Sequence, residues 1–140
     1  MGISKMRAGA GKAEVRFDGI LPHDGFDVLR HGVFARALVV EHAACRACIL
    51  TLELTSIAPA LLADLRGIVK EAAGCDGAFA WVVPTHTFSV PHVRTPGHLA
   101  DDAERGRNGR YRTALVDAAR AAVESAVGNL LPVTLSLIHI

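Results

Sequence analysis

The chain has 140 residues, 51% of them hydrophobic and 21% charged, with Lys+Arg at 15 against Asp+Glu at 14 for a formal net charge of +1. That length fits one domain with a real core, and the apolar content excludes disorder as an overall state. A charge so near zero excludes a general electrostatic pull toward nucleic acid or anionic lipid.

Met1 to Lys12 is rich in glycine and charge and has no apolar h-region, so a secretory signal is not expected. Gly2 is in place for myristoylation, but Met6 stands where that signal needs Ser or Thr. No apolar stretch approaches the roughly 20 residues of a membrane span. The expectation is a cytoplasmic protein. In "MRAGAGKAEVRF", Ala13, Val15 and Phe17 alternate with Glu14 and Arg16, which predicts a short strand near Lys12 to Phe17. "DGILPHDGFD" carries two Asp-Gly steps and a proline and reads as loop. Its His23, Asp24 and Asp27 offer cation ligands, but backbone hydrogen bonding in the two turns accounts for the carboxylates more simply.

Two apolar runs follow, 33–41 ("VFARALVVE") and 46–54 ("RACILTLEL"), joined by "HAAC". The short join predicts an antiparallel hairpin. Cys45 and Cys48 form a C-x-x-C, yet no second pair exists to complete a zinc site, and the motif enters a strand where redox pairs open a helix. With Cys75 they read as small buried or half-buried thiols in a reducing compartment. Pro59 suits a first helical turn, and Leu61, Leu62, Leu65, Ile68, Val69 and Ala72 recur at helical spacing until Gly74, predicting a helix over 59–73. "GAFAWVVP" is a second buried strand, 78–83, stopped by Pro84. Strand, helix and strand make a β-α-β unit with parallel strands and a right-handed crossover.

Ligands of open α/β sheets gather beyond the carboxyl ends of the strands, and both "THTFSVPH" and the "TS" after Glu53 begin at that edge. A neutral imidazole is a common metal ligand and a strand end restrains it, so His86 is the first candidate; taken alone, a structural histidine is the competing reading. Residues 94–110 read as a polar loop. A second amphipathic helix is predicted over 109–127, with Tyr111, Leu115, Val116, Ala119, Val123, Ala126 and Val127 as its stripe. The arginines of "ERGRNGRYR" suggest a phosphate or RNA contact, but the adjacent Asp101, Asp102 and Glu104 favour a solvated loop and helix start. The fold class expected is α/β: a mixed sheet with a hairpin and a β-α-β unit, an incomplete part of a larger domain.

The segments "RAGAGKAEV", "HGVFARALVVE", "ILTLELTSI", "PTHTFSVPH" and "YRTALVDAARAAVESAVGNLLP" resemble, in order and spacing, the opening portion of the neutral/alkaline ceramidase N-terminal domain family. The resemblance runs over nearly all of residues 7–134, and its most specific part is the loop that in the family reads "THTHSGP". It implies hydrolysis of an N-acyl or lipid amide substrate at a Zn2+ ion, which polarises the carbonyl and lowers the pKa of bound water to roughly 7. It also implies that His86 is a zinc ligand. The second histidine of the family's loop helps hold substrate and intermediate, and here that place is Phe88, which has neither donor nor lone pair. Ser89 and Pro91 keep the family's places, while Val90 replaces its glycine. His92 is a candidate helper for the catalytic role, with a solvated loop histidine as the alternative. Glu53 stands where many members have aspartate; it either orients a ligand histidine or, the simpler reading, anchors a loop. The family's other ligands (a second histidine, a glutamate and a tyrosine) and its active-site serine fall beyond residue 134.

The last six residues, Leu135-Ser136-Leu137-Ile138-His139-Ile140, read as the translation of a transposase end used in sequencing libraries, against the alternative of a final strand. On that reading residues 1–134 are the N-terminal fragment of a ceramidase-like domain and 135–140 a non-native tail. The expectation is a fragment inactive by itself. Two other readings are a catalytically decayed, ligand-binding relative of the same fold, and a small interaction module built on "RGRNGRYR".

Overall fold

A computed structural model of the chain describes residues 5–136. The predicted tail lies largely outside them, since Leu137 to Ile140 are not described. A five-stranded sheet is built from β1 (Arg7–Glu14), β2 (Phe34–His42), β3 (Cys45–Leu52), β4 (Ala80–Pro84) and β5 (Leu131–Pro132), in the spatial order β4-β3-β2-β1-β5. The β2–β3 hairpin is antiparallel, as its short join requires, with Ala43 at φ 54 in the turn. β3 and β4 run parallel, and the helix α1 (Pro59–Ala73) connects them. The fold is therefore the α/β arrangement expected, with a mixed sheet.

α1 begins at Pro59 and stops at Gly74, whose φ of 69 lets its N–H reach back to the Lys70 carbonyl. The second long helix, α2, spans Asp102–Gly128 and begins seven residues earlier than the predicted 109. The Asp101 carboxylate caps it by accepting from the Glu104 N–H at 2.7 Å, and Glu104 accepts from the Ala100 N–H at 2.8 Å. Gly106, Asn108 and Gly109 are poor helix formers, and their run reads as loop; the cap and the burial of Asn108 override that preference. The first strand also departs from expectation, lying at 7–14 where 12–17 was predicted. Gly9 and Gly11 are the reason. A Cβ on Gly9 would sit 2.0 Å from the Ala126 carbonyl oxygen, and one on Gly11 2.0 Å from that of Ala122. These glycines let α2 lie directly on β1, so they mark close approach rather than a flexible leader.

Both long helices pack on one face of the sheet, burying Ala35, Val39, Leu50 and Leu52 against Leu61, Leu65, Leu115, Ala119 and Val123. The strand register aligns Ala10, Leu38, Ile49 and Trp81 in one row on the other face. Leu38 and Trp81 there are exposed. Among the described residues, no helix is long and apolar enough to cross a membrane.

Candidate functional site

Beyond β4 the parallel pairing continues into the loop. The Thr85 N–H donates to the Leu52 carbonyl at 2.9 Å and the Thr87 N–H to the Leu54 carbonyl at 3.0 Å. The Thr55 hydroxyl donates to the Thr87 carbonyl at 2.7 Å, and the hydroxyls of Thr85 and Thr87 share a 2.7 Å hydrogen bond. His86 lies between these ties with φ at 61, a left-handed conformation that costs a residue with a Cβ about 1–2 kcal/mol. Its surroundings over-determine it.

The His86 ring is exposed, and its Nδ1 lies 3.0 Å from the Thr55 carbonyl oxygen. A carbonyl can only accept, so Nδ1 carries the proton and donates; in the neutral ring the lone pair then belongs to Nε2. Metal-binding histidines are held this way, one nitrogen spent on a backbone carbonyl and the other free to coordinate. Phe88 stacks edge-on against the ring, with centroids 4.7 Å apart at 73°. Its own side chain is 69% exposed. Among the described residues no three of His, Cys, Asp and Glu are grouped to hold a metal. The donor chemistry of His86 thus fits zinc as a single ligand.

His92 points elsewhere. Its Nδ1 and its backbone N–H both lie on Asp24 Oδ2, at 2.7 and 2.8 Å. Arg94 donates to Asp24 Oδ1 from Nε at 2.9 Å and from Nη2 at 2.6 Å. Burial pushes the Asp24 carboxyl up, but the bonds from His92 and Arg94 outweigh it and hold the group below the ordinary aspartate value. Asp24 has φ at 51. Its carboxylate, spent on His92 and Arg94, is thus not free for a cation.

The loop is pinned a third time by a residue that sequence reasoning missed. Asn108, on α2, is 4% exposed and pairs with both backbone groups of Arg94: Oδ1 accepts the N–H at 2.8 Å and Nδ2 donates to the carbonyl at 3.0 Å. An asparagine inside an otherwise helical pattern was the available signal, and it was read as a loop residue.

Glu53 serves β2. Its Oε2 accepts the Phe34 N–H at 2.8 Å and its Oε1 a bond from Arg36 at 2.6 Å. It also lines a cleft of about 710 Å³ between the 25–33 loop and Thr87, Ser89 and Val90. His86 and His92 are not among the residues of that wall. Cys45 is exposed while Cys48 and Cys75 are buried, and all three are free thiols. Burial, with the neighbouring Cys75 adding to it, pushes the Cys48 thiol up to about 11. The arginines of "ERGRNGRYR" are partly spent within the fold: Arg105 on Asp102, Arg110 on the Gly19 carbonyl and Arg112 on Asp64.

A scan against protein-family models finds none that matches, and a search of curated proteins finds no match. Solved structures do match. The chain resembles the neutral ceramidase from Pseudomonas aeruginosa with a TM-score of 0.71 and 21% identity, over 92% of this chain and 22% of that one. A second structure, a ceramidase complexed with C2, gives a TM-score of 0.67 at 20% identity with the same coverage. The shared property is the fold. The chain spans about 22% of the length of either ceramidase.

Proposed function

We propose that this chain is part of a zinc-dependent hydrolase of N-acyl amide bonds, and that it contributes the sheet edge presenting His86. The observation that carries the reading is the His86 ring, fixed by the Thr55 carbonyl at Nδ1 so that Nε2 is left as the coordinating atom. When bound, zinc supplies Lewis acidity toward the amide carbonyl and toward water; its further ligands come from outside the described residues.

The other roles belong to this chain. Thr55, Thr85 and Thr87 hold the loop that carries His86. Asp24 anchors the far end of that loop through the ring and backbone N–H of His92. Phe88 presents an apolar ring where the family's loop carries its second histidine, so the substrate loses a polar contact and gains a hydrophobic one. In this reading the cleft beside Thr87, Ser89 and Val90 receives the acyl chain, away from the reacting amide.

The same Phe88 favours a second reading, a relative that keeps the fold and binds a ligand without turnover. The experiment uses a longer polypeptide containing this segment. Turnover of an N-acyl substrate that disappears on chelation and in His86→Ala supports the hydrolase; binding of that substrate without turnover supports the second reading.

A further inference from the structure

β1 pairs with β2 along its whole length, from Arg7 to Glu14, but its other edge carries β5 opposite Arg7 and Ala8 only. Successive residues of a strand point their N–H and C=O to alternate edges. The Met6 carbonyl accepts from the Val133 N–H at 2.9 Å and the Ala10 carbonyl from Asn129 Nδ2 at 3.1 Å, so even-numbered residues face the β5 edge. The Val15 N–H donates to the Val33 carbonyl, which puts odd-numbered ones on the β2 side. Beyond Ala10 the even residues are Lys12 and Glu14. Among the described residues, nothing pairs with their backbone groups on that edge.

The space beside this edge is open as well. α1 takes one flank of α2, through Asp64 with Arg112 and Glu71 with Arg120. The opposite flank, with Ala114, Ala118 and Ala121, borders a groove of about 640 Å³ that reaches Ala13 and Glu14 of β1. An unpaired strand edge beside such a groove is a template for one further strand. The charges say which strand fits. Lys12 and Glu14 are exposed, and in an antiparallel pair of two β1 strands they come opposite one another or opposite themselves. A register centred on Lys12, or on Glu14, sets like charges face to face, which is destabilising. A register centred on Gly11 needs Ala8, which β5 already holds. The register centred on Ala13 sets Lys12 of each copy opposite Glu14 of the other, so the edge is complementary to itself in that register.

We propose that this edge binds a second copy of the chain, two β1 strands pairing antiparallel about Ala13. The pairing joins two five-stranded sheets into one and turns the two α2 grooves toward each other. The edge lies across the sheet from β4 and His86, and its pairing does not depend on the hydrolase reading.

Sedimentation equilibrium of the chain at up to about 1 mM tests this, and a monomer–dimer equilibrium is expected. Glu14→Lys and Lys12→Glu should each weaken the dimer by roughly tenfold or more, since either variant sets two like-charge pairs across the twofold. Mixed together, the two variants should associate again, because every lysine then meets a glutamate. The Lys12 and Glu14 amides should gain protection from hydrogen exchange as the dimer forms. A monomer throughout that range, a dimer indifferent to both variants, a mixture that fails to associate, or amides that stay unprotected in the dimer overturns the proposal. So does protection of both amides in a monomeric longer polypeptide containing this segment, which assigns the edge to a strand of that polypeptide. The concentration dependence of exchange in the unaltered chain decides the matter even where a variant fails to fold.

Discussion

Asn108→Ala isolates the tie between α2 and the loop that carries His86. The amide of Asn108 holds the Arg94 N–H at 2.8 Å and the Arg94 carbonyl at 3.0 Å. Each such bond contributes about 0.5–1.5 kcal/mol net, and a partner left unpaired costs more. Arg94 lies at the surface, where water can replace part of the loss, so about 2 kcal/mol is expected. With unfolding entropy near 2.1 cal/mol/K per residue, that lowers Tm by about 7 °C. The loss should also be local. Hydrogen exchange at the Arg94 amide should accelerate by about 30-fold, the equivalent of those 2 kcal/mol, because the tie is made by that amide. An unchanged melting curve together with unchanged exchange at Arg94 would refute the idea that this asparagine holds the loop.

Gly11→Ala places a methyl 2.0 Å from the Ala122 carbonyl oxygen, backbone that cannot step aside, and should cost about 3 kcal/mol or prevent folding; Gly67→Ala, with nothing within 4 Å, should be neutral or stabilising by up to about 1 kcal/mol in the same urea titration. Asp24→Asn should destabilise by about 2 kcal/mol at neutral pH through its bonds to His92 and Arg94. Because the folded-state pKa of Asp24 is depressed below its ordinary 3.8, the carboxylate's contribution is present above that value and lost as pH falls through the folded pKa. Melting temperatures of the two proteins should therefore converge as the pH is lowered below about 4. A thiol reagent at neutral pH should label Cys45 at once and leave Cys48 and Cys75 unreacted until denaturant is added, read by intact mass.

The parts of the fold legible in the residues were those where period and punctuation agree. Pro59 and Gly74 bracket a regular apolar stripe, and α1 has the bounds they set. The hairpin and the parallel β3–β4 pair followed from run length and the intervening helix. Illegible elements were those where a tertiary contact reverses a local preference. Gly9 and Gly11 look flexible but are strand residues pressed against α2, and Asn108 looks like a loop but is a buried helical crosslink. At the candidate site, the position of His86 beyond a strand end was legible. Its left-handed backbone was not, and the carbonyl on its Nδ1 comes from Thr55, 31 residues away, a pairing that no local pattern encodes. The partnership of His92 with Asp24 spans 68 residues and was equally hidden.

The claim beneath the functional reading is that His86 is held ready to coordinate through Nε2. Long-range proton–nitrogen NMR of the chain, with His86 assigned by comparison with His86→Ala, measures this directly. The account predicts a neutral ring protonated at Nδ1, with Nε2 as the nitrogen whose signal moves when zinc is added. A ring protonated at Nε2, or an Nε2 signal indifferent to zinc at millimolar concentration, would contradict it.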